Sequence, residues 1–181
     1  GDNIFYGNDL TQTLIKCNKE NEGATIMGYQ VNNPQMYGVI EFDNNNKIVK
    51  IEEKPHKPKS NIAVTGIYFY DNTVCERVKS LSPSKRNELE ITDLNNLYLN
   101  ENKLKYVKLN RGSAWLDTGT HENLLEASQF IRAIEKRQGI KIACLEEISL
   151  NFGWINQEQV DLAITKYKNS SYGNYLSKIN K

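Results

Sequence analysis

The sequence is poor in the residues that staple or metallate small proteins. Three cysteines (Cys17, Cys75 and Cys144) and two histidines (His56 and His121) are spread over 181 residues. An odd number at wide spacing gives no CxxC pair, so buried free thiols in a reducing compartment are the expectation. Two histidines exclude a histidine-rich metal centre. An excess of one charge is also missing. The 23 basic and 22 acidic residues leave a net charge of +1, which gives no footprint for a nucleic-acid polymer or an acidic partner. No apolar run approaches the roughly 18 residues of a membrane span, and no signal peptide is visible. The G-x-x-x-x-G-K-[ST], G-x-S-x-G and H-E-x-x-H motifs are absent. What remains is an ordinary composition, 39% apolar and 25% charged, long enough for a sizeable core.

Periodicity divides the chain. LTQTLIKCNKEN (10–21) reads as a short helix with Leu10, Leu14 and Ile15 on one face. ATIMGYQV (24–31) reads as a strand. YGVIEF (37–42) and KIVKIEEKP (47–55) flank DNNN and predict an antiparallel hairpin. NIAVTGIYFYD (61–71) is rich in β-branched and aromatic residues and predicts a buried strand. Helices follow at about 73–81 and over LEITDLNNLYLNEN, then strands at KLKYVKL and SAWLD. The longest helical pattern is 120–139, with Thr120 as its N-cap and Gly139 ending it. Everything beyond 140 reads as helical. The expectation is an α/β fold with a mixed sheet over residues 1–120 and a helical region over 121–181. Gly1-Asp2-Asn3 reads like the turn after a buried strand, yet no strand precedes it, so an earlier part of the domain is expected to be missing.

Several residues could carry chemistry. Asp2, and Asp117 in WLDTGT, each sit at a strand-to-loop transition. There they are either turn formers and caps, or ligands for a Mg²⁺ ion shared with phosphates. In KIVKIEEKP, strict alternation puts Ile48, Lys50 and Glu52 on one face and Val49, Ile51 and Glu53 on the other. Glu53 then needs a hydrogen-bond partner on the core side, which sugar hydroxyls would supply. Lys54 before Pro55 could meet a phosphate. A solvated E-E-K run is the plainer alternative. Gly38 and Gly66 mark either close approach of a ligand or a bulge. Tyr68 and Tyr70 share one face of their strand, and Arg86 lies in a loop before a helix, where it suits a phosphate. Trp154, Tyr172 and Tyr175 fit either an interface or simple packing.

In order along the chain stand GDN-x-x-Y-G, YGVIEFD, IEEKP-x-x-PKSN-x-AVTGIYFYD, ELEITD-x-N-x-x-Y, AWLDTGTHENLLEAS and IEKRQG-x-K-x-x-C-x-EEI. Together they resemble the glucose-1-phosphate thymidylyltransferases among the sugar nucleotidyltransferases, over essentially the whole chain. The resemblance implies part of the nucleotide-diphospho-sugar transferase fold. It implies a Mg²⁺-dependent condensation of dTTP with glucose 1-phosphate to dTDP-glucose and pyrophosphate. It also implies a cytoplasmic location and a homo-oligomer built partly by the helical tail. By this resemblance Asp2 and Asp117 are metal-binding carboxylates. Glu53, with the Gly38 backbone nearby, accepts hydrogen bonds from glucose hydroxyls. Lys54 and Arg86 hold the sugar phosphate, and Val64 and Tyr68 line the sugar pocket.

Two departures stand out. Asn87 occupies the position before ELEITD where the family has glycine, although asparagine tolerates a left-handed backbone. The family's opening G-x-G-T-R-L-x-P loop, which holds the triphosphate, is absent from the 181 residues. The chain is therefore expected to be a carboxyl-terminal part, inactive alone, that meets dTTP only through the missing half. A non-catalytic sugar-phosphate binder and a relative using UTP or CTP are the alternatives.

Overall fold

Two short apolar stretches far apart in sequence, NIFY and AWLD, pair in space to begin and end the first of two compact units. The computed structural model describes residues 2–84 and 86–179. It divides between Asp117 and Thr118, three residues before the expected boundary. Strand β1 (Asn3–Tyr6) runs antiparallel to β7 (Ala114–Asp117), with Asn3 opposite Asp117. Four half-buried residues are too few to signal a strand alone, and the partner lies at the far end of the unit. Gly1-Asp2-Asn3 therefore reads as a turn in sequence. Asp2 in fact leads into a strand, and Gly1 lies outside the described residues.

A second sheet has the order β4-β3-β5-β2-β6. Its strands are β2 (Ala24–Gln30), β3 (Gly38–Phe42), β4 (Ile48–Glu53), β5 (Ile62–Tyr70) and β6 (Leu104–Lys108). Only β2 and β6 pair in parallel, so the sheet is mixed as expected. Period-2 alternation sorts its core. Ile26, Ile40, Ile51, Ile62 and Val64 cluster with Tyr68 and Tyr106 on one face. Helix α3 (Ile91–Asn100) adds Leu94 and Tyr98 there, against Ala24 and Tyr70. On the opposite face Met27, Ile67 and Phe69 meet Cys17, Leu10 and Leu14 of α1 (Leu10–Glu20). The short α2 (Val74–Lys79) joins β5 to the loop before α3.

Three expectations change here. Ile15 is exposed while Cys17 turns inward, because the buried stripe of α1 runs through Leu10, Leu14 and Cys17. Cys75 is exposed, so only Cys17 and Cys144 are buried thiols. The alternation of β4 breaks. Lys50 faces Glu41, but the next β3 residue, Phe42, faces Ile48, which leaves Val49 as an extra residue. This bulge turns Ile48 to the core and Val49 out to solvent. Glu53 lies beyond the bulge and keeps the side of Ile51.

The second unit is helical: α4 (His121–Gln138), α5 (Leu145–Asn151), α6 (Gln157–Lys166) and α7 (Ser171–Ile179). The Thr120 hydroxyl accepts from the Asn123 amide, and Gly139 ends α4 at φ 72°. Leu176 and Tyr175 of α7 pack with Cys144, Ile164 and Tyr172. The Tyr175 hydroxyl donates to Glu147 at 2.6 Å, and that of Tyr172 donates to Glu146. Tyr172 and Tyr175 thus pack within this unit. Trp154 stacks on Phe152, and both are exposed. No helix among the described residues is long and apolar enough to cross a membrane.

Candidate active site

The hairpin β3–β4, the middle of β5 and the β1–β7 ladder converge on a cavity of about 250 Å³. Asp2, Gly38, Glu53, Lys54, Val64, Tyr68 and Asp117 all line it. The antiparallel register puts Asp2, just before β1, and Asp117, the last residue of β7, at the same end of their ladder. Among the described residues no group of three or more His, Cys, Asp or Glu is placed to hold a metal. The two aspartates are an oxygen-only donor set of the kind a Mg²⁺ ion completes with water and phosphate.

On the hairpin, Gly38 lies opposite Glu53. A Cβ at Gly38 would stand 3.1 Å from both Glu53 Oε2 and Thr92 Oγ1, so the missing side chain lets these two meet. The buried Thr92, in the first turn of α3, donates to Glu53 Oε2 at 2.6 Å. An ionised carboxylate has about four acceptor sites, so capacity remains on the cavity side. Lys54 has φ 43°, and its N–H donates to the Tyr37 carbonyl at 3.0 Å. A lysine in the left-handed region, directly before a proline, is a strained conformation held by its surroundings.

Arg86 does not line the cavity. Its Nη1 lies 3.7 Å from both Glu53 and Glu90, and its Nη2 lies 2.7 Å from Glu88. The guanidinium therefore stands beside the cavity, shared among three carboxylates. Asn87 adopts φ 60°, the left-handed geometry its side chain tolerates. Lys85 lies outside the described residues. Burial pushes the Tyr68 phenol up to about 12, helped by the Glu53 and Asp2 carboxylates. Tyr68 thus remains a hydrogen-bond donor at neutral pH.

Asn3, Thr65, Thr92 and Trp115 also line the cavity, and no sequence pattern assigns them a role there. Trp115 stood inside the quoted WLDTGT, and a strand tryptophan two residues before a candidate ligand was a usable signal. Thr92 gave none, because its bond to Glu53 depends on how α3 packs. The Thr65 hydroxyl is buried and has no hydrogen-bond partner among the described residues.

Residues 1–134 match the nucleotidyl transferase family. The chain belongs to that family. It is 50% identical over 181 residues to the glucose-1-phosphate thymidylyltransferase of Xanthomonas campestris pv. campestris strain B100, covering 100% of this chain and 61% of the relative. It is 52% identical over 180 residues to the one from Neisseria meningitidis, covering 99% and 62%. The chain thus spans about three fifths of the relatives' length. Among solved structures, it resembles a Bacillus anthracis protein assigned as a glucose-1-phosphate thymidylyltransferase, in complex with sucrose. That match has TM-score 0.61 and 43% identity over 72% of this chain and 52% of the other. A UDP-glucose pyrophosphorylase complexed with UDP-glucose matches with TM-score 0.62 and 25% identity, over 75% and 54%. The mixed sheet with flanking helices is accordingly that of a nucleotidyl transferase, the nucleotide-diphospho-sugar transferase fold.

Proposed function

We propose that the cavity is the sugar-phosphate side of a glucose-1-phosphate thymidylyltransferase. The whole enzyme would condense dTTP with glucose 1-phosphate, giving dTDP-glucose and pyrophosphate. The observation carrying this reading is that Asp2, Glu53, Lys54 and Asp117 face one cavity in a chain about half identical to such enzymes.

In the proposed reaction a phosphate oxygen of glucose 1-phosphate attacks the α-phosphorus of dTTP. A new P–O bond forms, the bond to the bridging oxygen breaks, and pyrophosphate leaves with the electron pair. Two polyanions must approach, so the protein's task is positioning and charge neutralisation. Glu53 spends one oxygen on Thr92 and accepts sugar hydroxyls with what remains. Gly38 keeps that wall shallow, Val64 supplies an apolar surface, and Tyr68 donates. Lys54 and Arg86 hold the sugar phosphate, for which Arg86 must be drawn from Glu88, its nearest carboxylate partner. Asp2 and Asp117 would hold Mg²⁺, which supplies positive charge to the phosphate oxygens when bound.

Pyrophosphate release with dTTP, glucose 1-phosphate and Mg²⁺ tests the reading. The chain would be assayed alone and mixed with the part of the Xanthomonas relative it does not cover. Activity only in the mixture, lost in Glu53→Gln and Asp117→Asn, is expected. A mixture that binds glucose 1-phosphate but releases no pyrophosphate would favour a sugar-phosphate-binding protein. The likeness to UDP-glucose pyrophosphorylase favours a second reading, a uridylyl enzyme. A preference for UTP over dTTP in the same assay would establish it.

A further inference from the structure

Asp2 is joined through an amide to Trp115 of the facing strand β7. The Trp115 indole Nε1–H donates to Asn3 Oδ1 at 2.6 Å, and Asn3 Nδ2 donates to Asp2 Oδ1 at 2.8 Å. An indole N–H can only donate and an ionised carboxylate can only accept. A group bridging them must offer an acceptor on one side and a donor on the other, from one rigid plane. A carboxamide does this. Aspartate would set a second negative charge against Asp2, and serine is too short to span both.

The rest of the neighbourhood fixes this geometry. Tyr37 and Tyr29 flank the indole, with ring centroids 5.0 and 5.9 Å from that of Trp115. Beneath the carboxamide lies Gly66 of β5. A Cβ there would stand 2.5 Å from both Cγ and Nδ2 of Asn3, a separation that real Cβ atoms do not adopt. Gly66 is opposite the irregular register of β2 and β5 between Ile26 and Gly28. The glycine thus serves as the floor on which Asn3 lies.

We propose that Asn3 is a positioning residue. Seated on Gly66, it ties the Asp2 carboxylate to the clamped Trp115 indole and so sets the aim of Asp2 into the cavity. The role of Asp2 as a metal ligand rests on the function proposed above. The relay itself does not. Partners behind a metal ligand typically contribute 10- to 100-fold to affinity. The exposed side of Asp2 favours the lower end.

The experiment uses the chain of 181 residues, ¹⁵N-labelled, with no metal at first. Its two tryptophans give two indole N–H resonances, assigned with Trp154→Phe. Asn3→Ala and Gly66→Ala are each expected to shift the Trp115 indole signal, and Asp2→Asn to shift the Asn3 side-chain amide signals. Mn²⁺ titration then reads the second half. Asn3→Ala and Trp115→Phe should bind about tenfold more weakly than wild type, with backbone spectra otherwise retained. If Asn3→Ala leaves the indole signal in place, or Asp2→Asn leaves the Asn3 amide in place, the relay does not exist and the proposal fails. Shifted signals with unchanged Mn²⁺ affinity in Asn3→Ala, but weaker binding in Asp2→Asn, would also overturn it. Mn²⁺ binding that ignores Asp2→Asn would refute the metal role and leave the relay standing on the first readout.

Discussion

Lys54→Gly is expected to stabilise the protein while disabling its site. Lys54 sits at φ 43° immediately before Pro55. Left-handed backbone costs a non-glycine residue roughly 1–2 kcal/mol, and a following proline restricts it further. Glycine removes that cost but brings back about 0.5–1 kcal/mol of unfolded-state freedom. The difference is a gain of roughly 0.5–1 kcal/mol, or about 1–4 °C in Tm for a chain of this size. The same substitution deletes the ammonium group at the cavity wall. A charge-assisted hydrogen bond contributes about 1.5–3 kcal/mol, so glucose 1-phosphate should bind about 10- to 100-fold more weakly. Lys54→Ala separates the effects, since it keeps the strain and loses the charge. It should match the glycine variant in affinity without its gain in Tm. Calorimetric melts and glucose 1-phosphate titrations of the three proteins decide the matter. A glycine variant that melts lower than the alanine variant would refute the strain argument. Undiminished binding in both would refute the role of the charge.

Thr92→Val removes the hydroxyl that donates to Glu53 and leaves that carboxylate short of a partner, so a loss of about 1 kcal/mol in urea unfolding is expected. Sugar-phosphate affinity should fall with it. Glu101, half exposed, accepts two hydrogen bonds from Arg77 at 2.6 and 2.7 Å, which hold its carboxyl down at about 2 against an ordinary 4.5. A depressed carboxyl favours the folded state fully above its unfolded value and progressively less below it. The Tm difference between wild type and Glu101→Gln should therefore be present above about pH 4.5 and vanish as pH approaches 2. Solvent and salt should keep it small. Gly173→Ala would place a Cβ 2.2 Å from the Tyr167 carbonyl oxygen. Backbone cannot yield there as a side-chain tip could, so α7 must shift at a cost of about 1–3 kcal/mol, read by thermal melting.

Local pattern carried most of the architecture. The 3–4 spacing that makes 10–21 a helix, the DNNN turn between alternating runs, and the Thr120 and Gly139 caps each express a choice made within a few residues. Such elements are legible because propensity, periodicity and capping act over one or two turns of chain. The candidate site was legible in part, and for another reason. Asp2, Glu53, Lys54 and Asp117 sit in short motifs that resemble a known family, and the structure brings them to one cavity.

What the sequence could not decide depends on distant partners. Strand β1 exists because Asn3–Tyr6 finds Ala114–Asp117, and four residues carry too little periodicity to announce it. Val49 is exposed because one extra residue in β4 breaks the ladder with β3, and a bulge leaves no mark in an apolar run. Arg86 reads as a free cation in sequence, but the fold sets it among Glu53, Glu88 and Glu90. Composition and pattern alone determined an α/β chain with a helical tail and a short set of candidate residues. Tertiary structure decided which of them share a cavity, and it made Asn3, Thr92 and Trp115 part of the site. Hydrogen bonds and close approaches between segments up to 112 residues apart are properties of packing, and no local window of the sequence contains them.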